Sequence, residues 1–436
     1  MATLDVGISS AGISQFLTGK TAKFIAFVPI ALSAIYLLFY YRDGGNMHDA
    51  GVYIDSGFAV FKGENPYECC SRWGSFGPVP FSALMSLVPF VIRATTVRIL
   101  SLIGIYLFLR TIFPSKRTFE PHFMFLIILW SSPVRELLVT NQMTGIAIGL
   151  LALGVKLNEG IGGAKPSITS RFFSAIFFVM ALDMKPHISL VFFLSWIIYK
   201  REIKSFIWTI VTLVTTHIII DLSQFRILEL DWLSNLRGVN ASASQNTLGD
   251  SLAFWPILNN YFAAGKFFYY FSFLLTICLT ILCFYLAKNR KWEVVVVLSF
   301  FIPATSIYFH FYDVVPLSVV LGILVVRIKN LFLTTFCVSI FLIPIEYRSA
   351  KNIILVLVIA LGLFAARSYR TDLKQTIGNL FLLMAGLFGS FVLHVFNSSL
   401  HLSDHLLQSL IVTECLILVM SLYVYSRKKS VSLLDS

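Results

Sequence analysis

The sequence predicts an all-α, polytopic bundle of about 12–14 transmembrane helices, forming one integral membrane domain over residues 1–436. Three observations predict it. Hydrophobic residues make up 57% of the chain and charged residues only 13%, with a mean hydropathy of +0.81, whereas soluble domains carry about 25% charged residues. Apolar runs long enough to cross a hydrocarbon layer of about 30 Å, roughly 17–25 residues each, recur from end to end. These runs lack the period-two alternation of barrel strands, and hydrocarbon admits only helices or closed barrels because backbone polar groups find no water there.

In chain order the runs fall at 22–41, 96–113, 121–139, 142–157, 171–184, 187–200, 203–221, 267–287, 293–309, 313–327, 331–346, 352–367, 376–396 and 406–425. The first follows Lys20 and Lys23 and is too long for the apolar core of a cleaved signal peptide. It runs into Tyr40, Tyr41, Arg42 and Asp43 rather than small residues, so it reads as a retained helix. Residues 78–92, short and interrupted by Pro78, Pro80 and Pro89, read as re-entrant or interfacial.

The net charge of +12 is scattered in short Lys/Arg clusters between runs, which is a positive-inside pattern and excludes a nucleic-acid patch. The clusters at Lys200, Arg201 and Lys204, at Lys288, Arg290 and Lys291, at Arg327 and Lys329, at Arg367, Arg370 and Lys374, and at Arg427, Lys428 and Lys429 are expected on the cytoplasmic side, with both termini. The outward face then takes the loop 42–77, the Asn141 and Gln142 turn, the break at Lys185 and Pro186, the large loop 222–266, and His310. The expected setting is the plasma membrane, with the functional face outward.

Cys278, Cys283, Cys337 and Cys415 lie in apolar runs, where cysteine acts as a small hydrophobe, and adjacent Cys69 and Cys70 lack the spacing of a metal or redox site. No phosphate-binding glycine loop, dinucleotide fingerprint or His/Cys metal spacing is present. No metal and no cofactor is therefore expected.

The loop 42–77 carries Asp43, Asp49, Asp55, Glu64 and Glu68 against Arg42, Lys62 and Arg72. Within it Val52, Tyr53, Gly57, Ala59 and Val60 read as a short interfacial helix with its apolar atoms toward lipid, stopped by Gly63 and followed by a stiff turn at Asn65, Pro66 and Tyr67. The spacing of Asp49, Val52, Tyr53, Gly57, Ala59, Gly63, Asn65, Pro66 and Tyr67 resembles the first outer loop of the GT-C superfamily of polyprenyl-phosphate-mannose-dependent mannosyltransferases, the family related to the bacterial phosphatidylinositol-mannoside mannosyltransferases.

Four later stretches match that family more loosely and in the same order. Asn141 and Gln142 stand where Gly-Gln is usual, and Lys185 and Pro186 match its Lys-Pro. Asn246, Thr247 and Leu248 resemble an Asn-x-Ser/Leu stretch in the large outer loop, and Tyr308, Phe309, His310 and Phe311 fall where Trp-x-His-Tyr is usual. The resemblance covers about residues 49–330 and implies an inverting glycosyltransferase using a polyprenyl-phosphate sugar, with mannose the sugar it suggests.

In that chemistry an acceptor hydroxyl attacks the anomeric carbon and the polyprenyl phosphate departs. Phosphate leaves without acid help, so one carboxylate base suffices where glycosidases need two. The resemblance assigns the base to Asp49, with Asp55 the rival; pairing with Arg42 or capping the helix are structural alternatives for Asp49. The same resemblance makes His310, Lys185, Tyr53, Asn141, Gln142 and Asn246 candidates for binding substrate. Lys185 reads either as a cation near the donor phosphate or as half of an ion pair with Asp183, because ionisable groups at membrane depth cost about 2.5–3.5 kcal/mol each and are seldom idle. Aromatic and amide groups such as Trp232, Asn240, Gln245 and Trp255 in the loop 222–266 suit a lipid or glycan acceptor. A transporter or flippase of a polyprenyl-linked sugar, and a noncatalytic membrane assembly subunit of the same fold, are the competing readings.

Overall fold

The structure, a computed structural model, describes residues 48–65, 92–112, 131–159, 166–225, 266–305 and 311–319, with shorter stretches around 31–38, 86–88, 125–129 and 227–231. Regular structure among these residues is helical throughout, with no strand. The helices are α1 (His48–Phe61), α2 (Arg93–Ile112), α3 (Ser132–Val139), α4 (Thr144–Glu159), α5 (Ile168–Met184), α6 (Pro186–Lys200), α7 (Ile203–Gln224), α8 (Lys266–Lys288) and α9 (Trp292–Phe301). Short 3-10 turns follow at Ile302–Thr305 and Phe311–Val314. Among the described residues three helices are long and apolar enough to cross a membrane, Arg93–Ile112, Ile203–Ser223 and Tyr270–Lys288, and the bent pair of α3 and α4 makes a fourth if it counts as one span.

The apolar runs at 96–113, 142–157, 171–184, 187–200, 203–221 and 267–287 each became one helix, extended at one or both ends. The run at 293–309 is cut short, because α9 tightens into the 3-10 turn at Ile302, one residue before Pro303. The runs beyond 327 lie outside the described residues.

α2 and α4 meet backbone to backbone. A Cβ on Gly149 would sit 2.3 Å from the Gly104 Cα, and one on Gly104 would sit 2.1 Å from the Gly145 carbonyl oxygen. Small residues at a helix crossing let dispersion contacts form where lipid provides no hydrophobic drive. Side-chain hydrogen bonds tie in the neighbours: Asn158 Nδ2 donates to Ser174 Oγ at 2.7 Å, Ser174 Oγ to the Gly154 carbonyl at 2.7 Å, and Ser205 Oγ to Asn158 Oδ1 at 2.6 Å, linking α4, α5 and α7. The centre is aromatic, with Phe108 edge-on to Phe300 at 5.3 Å, Phe192 stacked on Phe300 at 5.0 Å and Phe178 against Trp196 at 5.3 Å.

The outer faces of α7 and α8 are the reverse of a soluble protein's surface. Ile207, Val211, Val214 and Ile218 on α7 and Phe273, Leu274 and Ile281 on α8 are exposed, the arrangement hydrocarbon solvent selects.

The bundle has two chemically distinct ends. At one, Lys200 pairs with Glu159 at 2.9 Å, and Arg201, Lys204, Lys288, Arg290 and Lys291 are exposed around them. At the other stand the α3–α4 corner, the α5–α6 break and the start of α2. α1 packs at this second end: Arg93 lies over the Phe58 ring at 4.8 Å, Ile54 joins the main core, and Val60 packs with Leu228. Gly63, at a φ of 72°, ends α1 as expected, with the Glu64 N–H reaching the Ala59 carbonyl at 2.8 Å.

One expectation for α1 is corrected. Ala59 and Val60, which the sequence directed to lipid, are buried by protein together with Ile54, and among the described side chains of this helix the exposed large apolar ones are Phe58 and Phe61. At Ala59 and Val60 the helix therefore docks on the bundle, with α2 and residues near 228 competing for that surface.

Candidate functional site

Two chain breaks build the polar site. α3 meets α4 at 111°, and the corner closes as a Schellman turn in which the Gln142 N–H donates to the Leu137 carbonyl at 3.0 Å while Asn141 takes a φ of 54°. Asparagine tolerates that left-handed position better than most residues, which is a physical reason for an asparagine at this turn. Asn141 is fully buried, and its Oδ1 accepts from Arg98 Nε at 2.9 Å. Its Nδ2 has no hydrogen-bond partner among the described residues.

The second break lies between α5 and α6. Pro186 opens α6, where a missing N–H is harmless, and Lys185 adopts φ −144° and ψ 73° between the helices. Ser189 Oγ donates across the break to the Ala181 carbonyl at 2.9 Å, which fixes the angle of the Lys185 backbone.

The side chains from these breaks converge. Lys185 Nζ donates to Gln142 Oε1 at 3.1 Å and lies 3.6 Å from Asp313 Oδ1. Thr144 Oγ1 donates to the same Asp313 oxygen at 2.8 Å, and His187 Nε2 lies 3.2 Å from Asp313 Oδ2. A carboxylate only accepts, so the His187 ring carries its proton toward it. Asp313 comes from the 3-10 turn Phe311–Val314 and is fully buried, whereas the His187 side chain, 24% exposed, is the most accessible member.

Electrostatics explains the arrangement. Burying one charge alone costs several kcal/mol, and a close counter-charge with hydrogen bonds on its remaining atoms offsets this. Asp313 is engaged by Thr144, Lys185 and His187, so it serves as an anchor rather than a base awaiting a substrate proton. The His187 ring lines the accessible side of this cluster, with the Lys185–Asp313 pair buried behind it.

Of the candidates read from sequence, Gln142 and Lys185 are in direct contact and Asn141 is in the adjoining turn. Asp49 and Tyr53 stand on α1, four residues apart, with Asp55 exposed on the same helix. His310 and Asn246 lie outside the described residues. The ion pair of Lys185 is with Asp313 and not with its sequence neighbour Asp183, which meets His217 of α7 at 3.2 Å.

Sequence reasoning missed Asp313, His187, Thr144 and Arg98. An acid and a histidine at the edges of apolar runs were the available signal. Among the described residues no group of three or more His, Cys, Asp or Glu side chains could hold a metal ion. Comparison with protein-family models, characterised proteins and solved structures found no match.

Proposed function

We propose that the chain is a multi-pass membrane glycosyltransferase of the GT-C class, with about 12–14 crossings, that moves a sugar, mannose by resemblance, from a polyprenyl-phosphate donor to a hydroxyl of a lipid or glycan acceptor at the outer membrane face. The observation that carries the reading is the 3.1 Å contact between Gln142 and Lys185. These residues, from two separate matched stretches, meet at the same end of the bundle as α1, the helix bearing Asp49 and Tyr53.

In this reading Asp49 takes the proton of the acceptor hydroxyl. The hydroxyl oxygen bonds to the anomeric carbon as the carbon–oxygen bond to phosphate breaks, the phosphate keeps the electron pair, and the configuration inverts. Lys185 and His310 serve the phosphate, where donors oriented in advance stabilise the charge that grows on the leaving oxygen. Gln142 orients the Lys185 ammonium, and Asp313 holds Lys185 and His187 together. Tyr53 and Asn246 contact the sugar or acceptor, while Asn141, which the resemblance also offered for binding, is fully buried and holds the turn that carries Gln142.

Radiolabel transfer from a polyprenyl-phosphate mannose in proteoliposomes tests the reading. Transfer to an extractable glycolipid is the expected result. Movement of the intact donor across the bilayer without transfer would indicate a flippase, and neither activity, with the donor still bound, would indicate an assembly subunit. Transfer from a soluble nucleotide sugar alone would overturn the donor assignment.

A further inference from the structure

The basic end of the bundle has a construction that the transferase reading does not use. Two unrelated turns, α6–α7 and α8–α9, close in the same way: the Glu202 N–H donates to the Ile197 carbonyl at 3.1 Å, and the Lys291 N–H to the Leu286 carbonyl at 3.1 Å. Each turn needs a left-handed residue, and in each that residue is arginine, Arg201 at φ 61° and Arg290 at φ 60°. Glycine or asparagine would meet this requirement with less strain. Asn141 and Phe225 take the same conformation at the opposite end, so what sets this end apart is that both of its left-handed residues are exposed cations.

The two turns meet on one aromatic pair. Arg290 lies over the Tyr199 ring at 5.3 Å, and Tyr199 stacks on Trp292 at 4.7 Å. Lys200, at 5.5 Å from the same ring, is neutralised by Glu159. By contrast Arg201, Lys204, Lys288, Arg290 and Lys291 are exposed and form no ion pair among the described residues. Glu202 and Glu293 lie in the same two turns and leave a clear excess of positive charge. The patch is one length of α6, 15 residues or roughly 22 Å, from the Lys185 site.

We infer that this end binds the headgroup of an anionic phospholipid, with Arg201 and Arg290 on the phosphate and the Tyr199–Trp292 pair at the depth of the interface. Guanidinium groups match phosphate oxygens in a two-pronged geometry, and amphipathic aromatic rings settle at headgroup level. The inference requires that the helices cross a membrane and is independent of sugar transfer. A protein that transfers sugar but shows no lipid preference, or the reverse, separates the two.

The test is native mass spectrometry of the full-length protein in detergent, with phosphatidylglycerol and phosphatidylcholine offered at equal concentration. Wild-type protein is expected to retain the anionic lipid about 10- to 30-fold more strongly, the effect of roughly two cations near an anionic surface. R201G/R290G should lose most of the preference while its melting temperature in detergent holds or rises, because glycine relieves both turns. R201K/R290K should keep most of the preference, K204Q/K288Q should lower it even if the glycine variant folds poorly, and K62Q at the opposite end should leave it unchanged. Parity in the wild type, or full preference in R201G/R290G, would overturn the proposal. Loss of the preference to millimolar inorganic phosphate would reassign the site to a free anion.

Discussion

Removing the Asp313 carboxylate by Asp313→Asn should destabilise the bundle more than almost any other single polar change in it. The substitution keeps the volume and leaves the Lys185 ammonium buried, 4% exposed, without its counter-charge at 3.6 Å. At that distance, with an effective dielectric constant of about 20, the lost attraction is about 4–5 kcal/mol, in line with the about 3–5 kcal/mol seen when one partner of a buried pair is removed. Lys185→Met should cost somewhat less, because Thr144 and His187 still serve the orphaned carboxylate at 2.8 and 3.2 Å. The double variant removes both charges, so its loss should fall short of the sum by about 2–3 kcal/mol. Unfolding in mixed detergent–SDS micelles, followed by tryptophan fluorescence and far-UV circular dichroism, supplies the three free energies. Additivity within about 0.5 kcal/mol would mean that the pair is not coupled and that the electrostatic account of this network is wrong.

Other outcomes follow from the same geometry. Gly149→Leu should destabilise by at least about 1–3 kcal/mol in the same assay, since even a Cβ there would lie 2.3 Å from the Gly104 Cα; a neutral result would refute the close α2–α4 crossing. In a cysteine-free background, Asp55→Cys should react with a membrane-impermeant thiol reagent in intact cells and Arg201→Cys only after permeabilisation, and the opposite pattern would invert the topology. His310→Ala should raise the KM for the polyprenyl-phosphate donor about 10-fold, the worth of a hydrogen bond to a charged group, with the acceptor KM unchanged. An effect confined to the acceptor would move this residue off the phosphate.

The helices were legible because hydropathy is a local property. Runs such as 203–221 and 267–287 needed only their own residues to be read, and the structure lengthens each by a few residues, to Ile203–Gln224 and Lys266–Lys288. The stop at Gly63 and the break at Pro186 were equally local, since backbone sterics decide them. The network was legible by halves. Lys185 stood out because an ionisable group in an apolar setting needs a purpose, and Gln142 through the family resemblance alone. Their partner Asp313 did not, because it sits 169 residues from Thr144 and its neighbours Phe311 and Tyr312 read as the aromatic flank of His310. His187 was masked by its place at a helix start, where a histidine draws no notice. The face that α1 buries depends on a match with α2 and with residues near 228, a pairing no periodicity within α1 could disclose.

In the proposed reaction Asp49 is the base, at the end of the bundle where α1 packs. The most direct test of that role is the initial rate of sugar transfer from polyprenyl-phosphate mannose in proteoliposomes, for wild type, Asp49→Asn and Asp55→Asn at matched amounts of folded protein. General-base help is typically worth about 100- to 10,000-fold, so Asp49→Asn should lose at least about 100-fold with an unchanged unfolding midpoint, while Asp55→Asn keeps substantial activity. Near-normal turnover by Asp49→Asn, or loss of turnover in Asp55→Asn instead, would contradict the account.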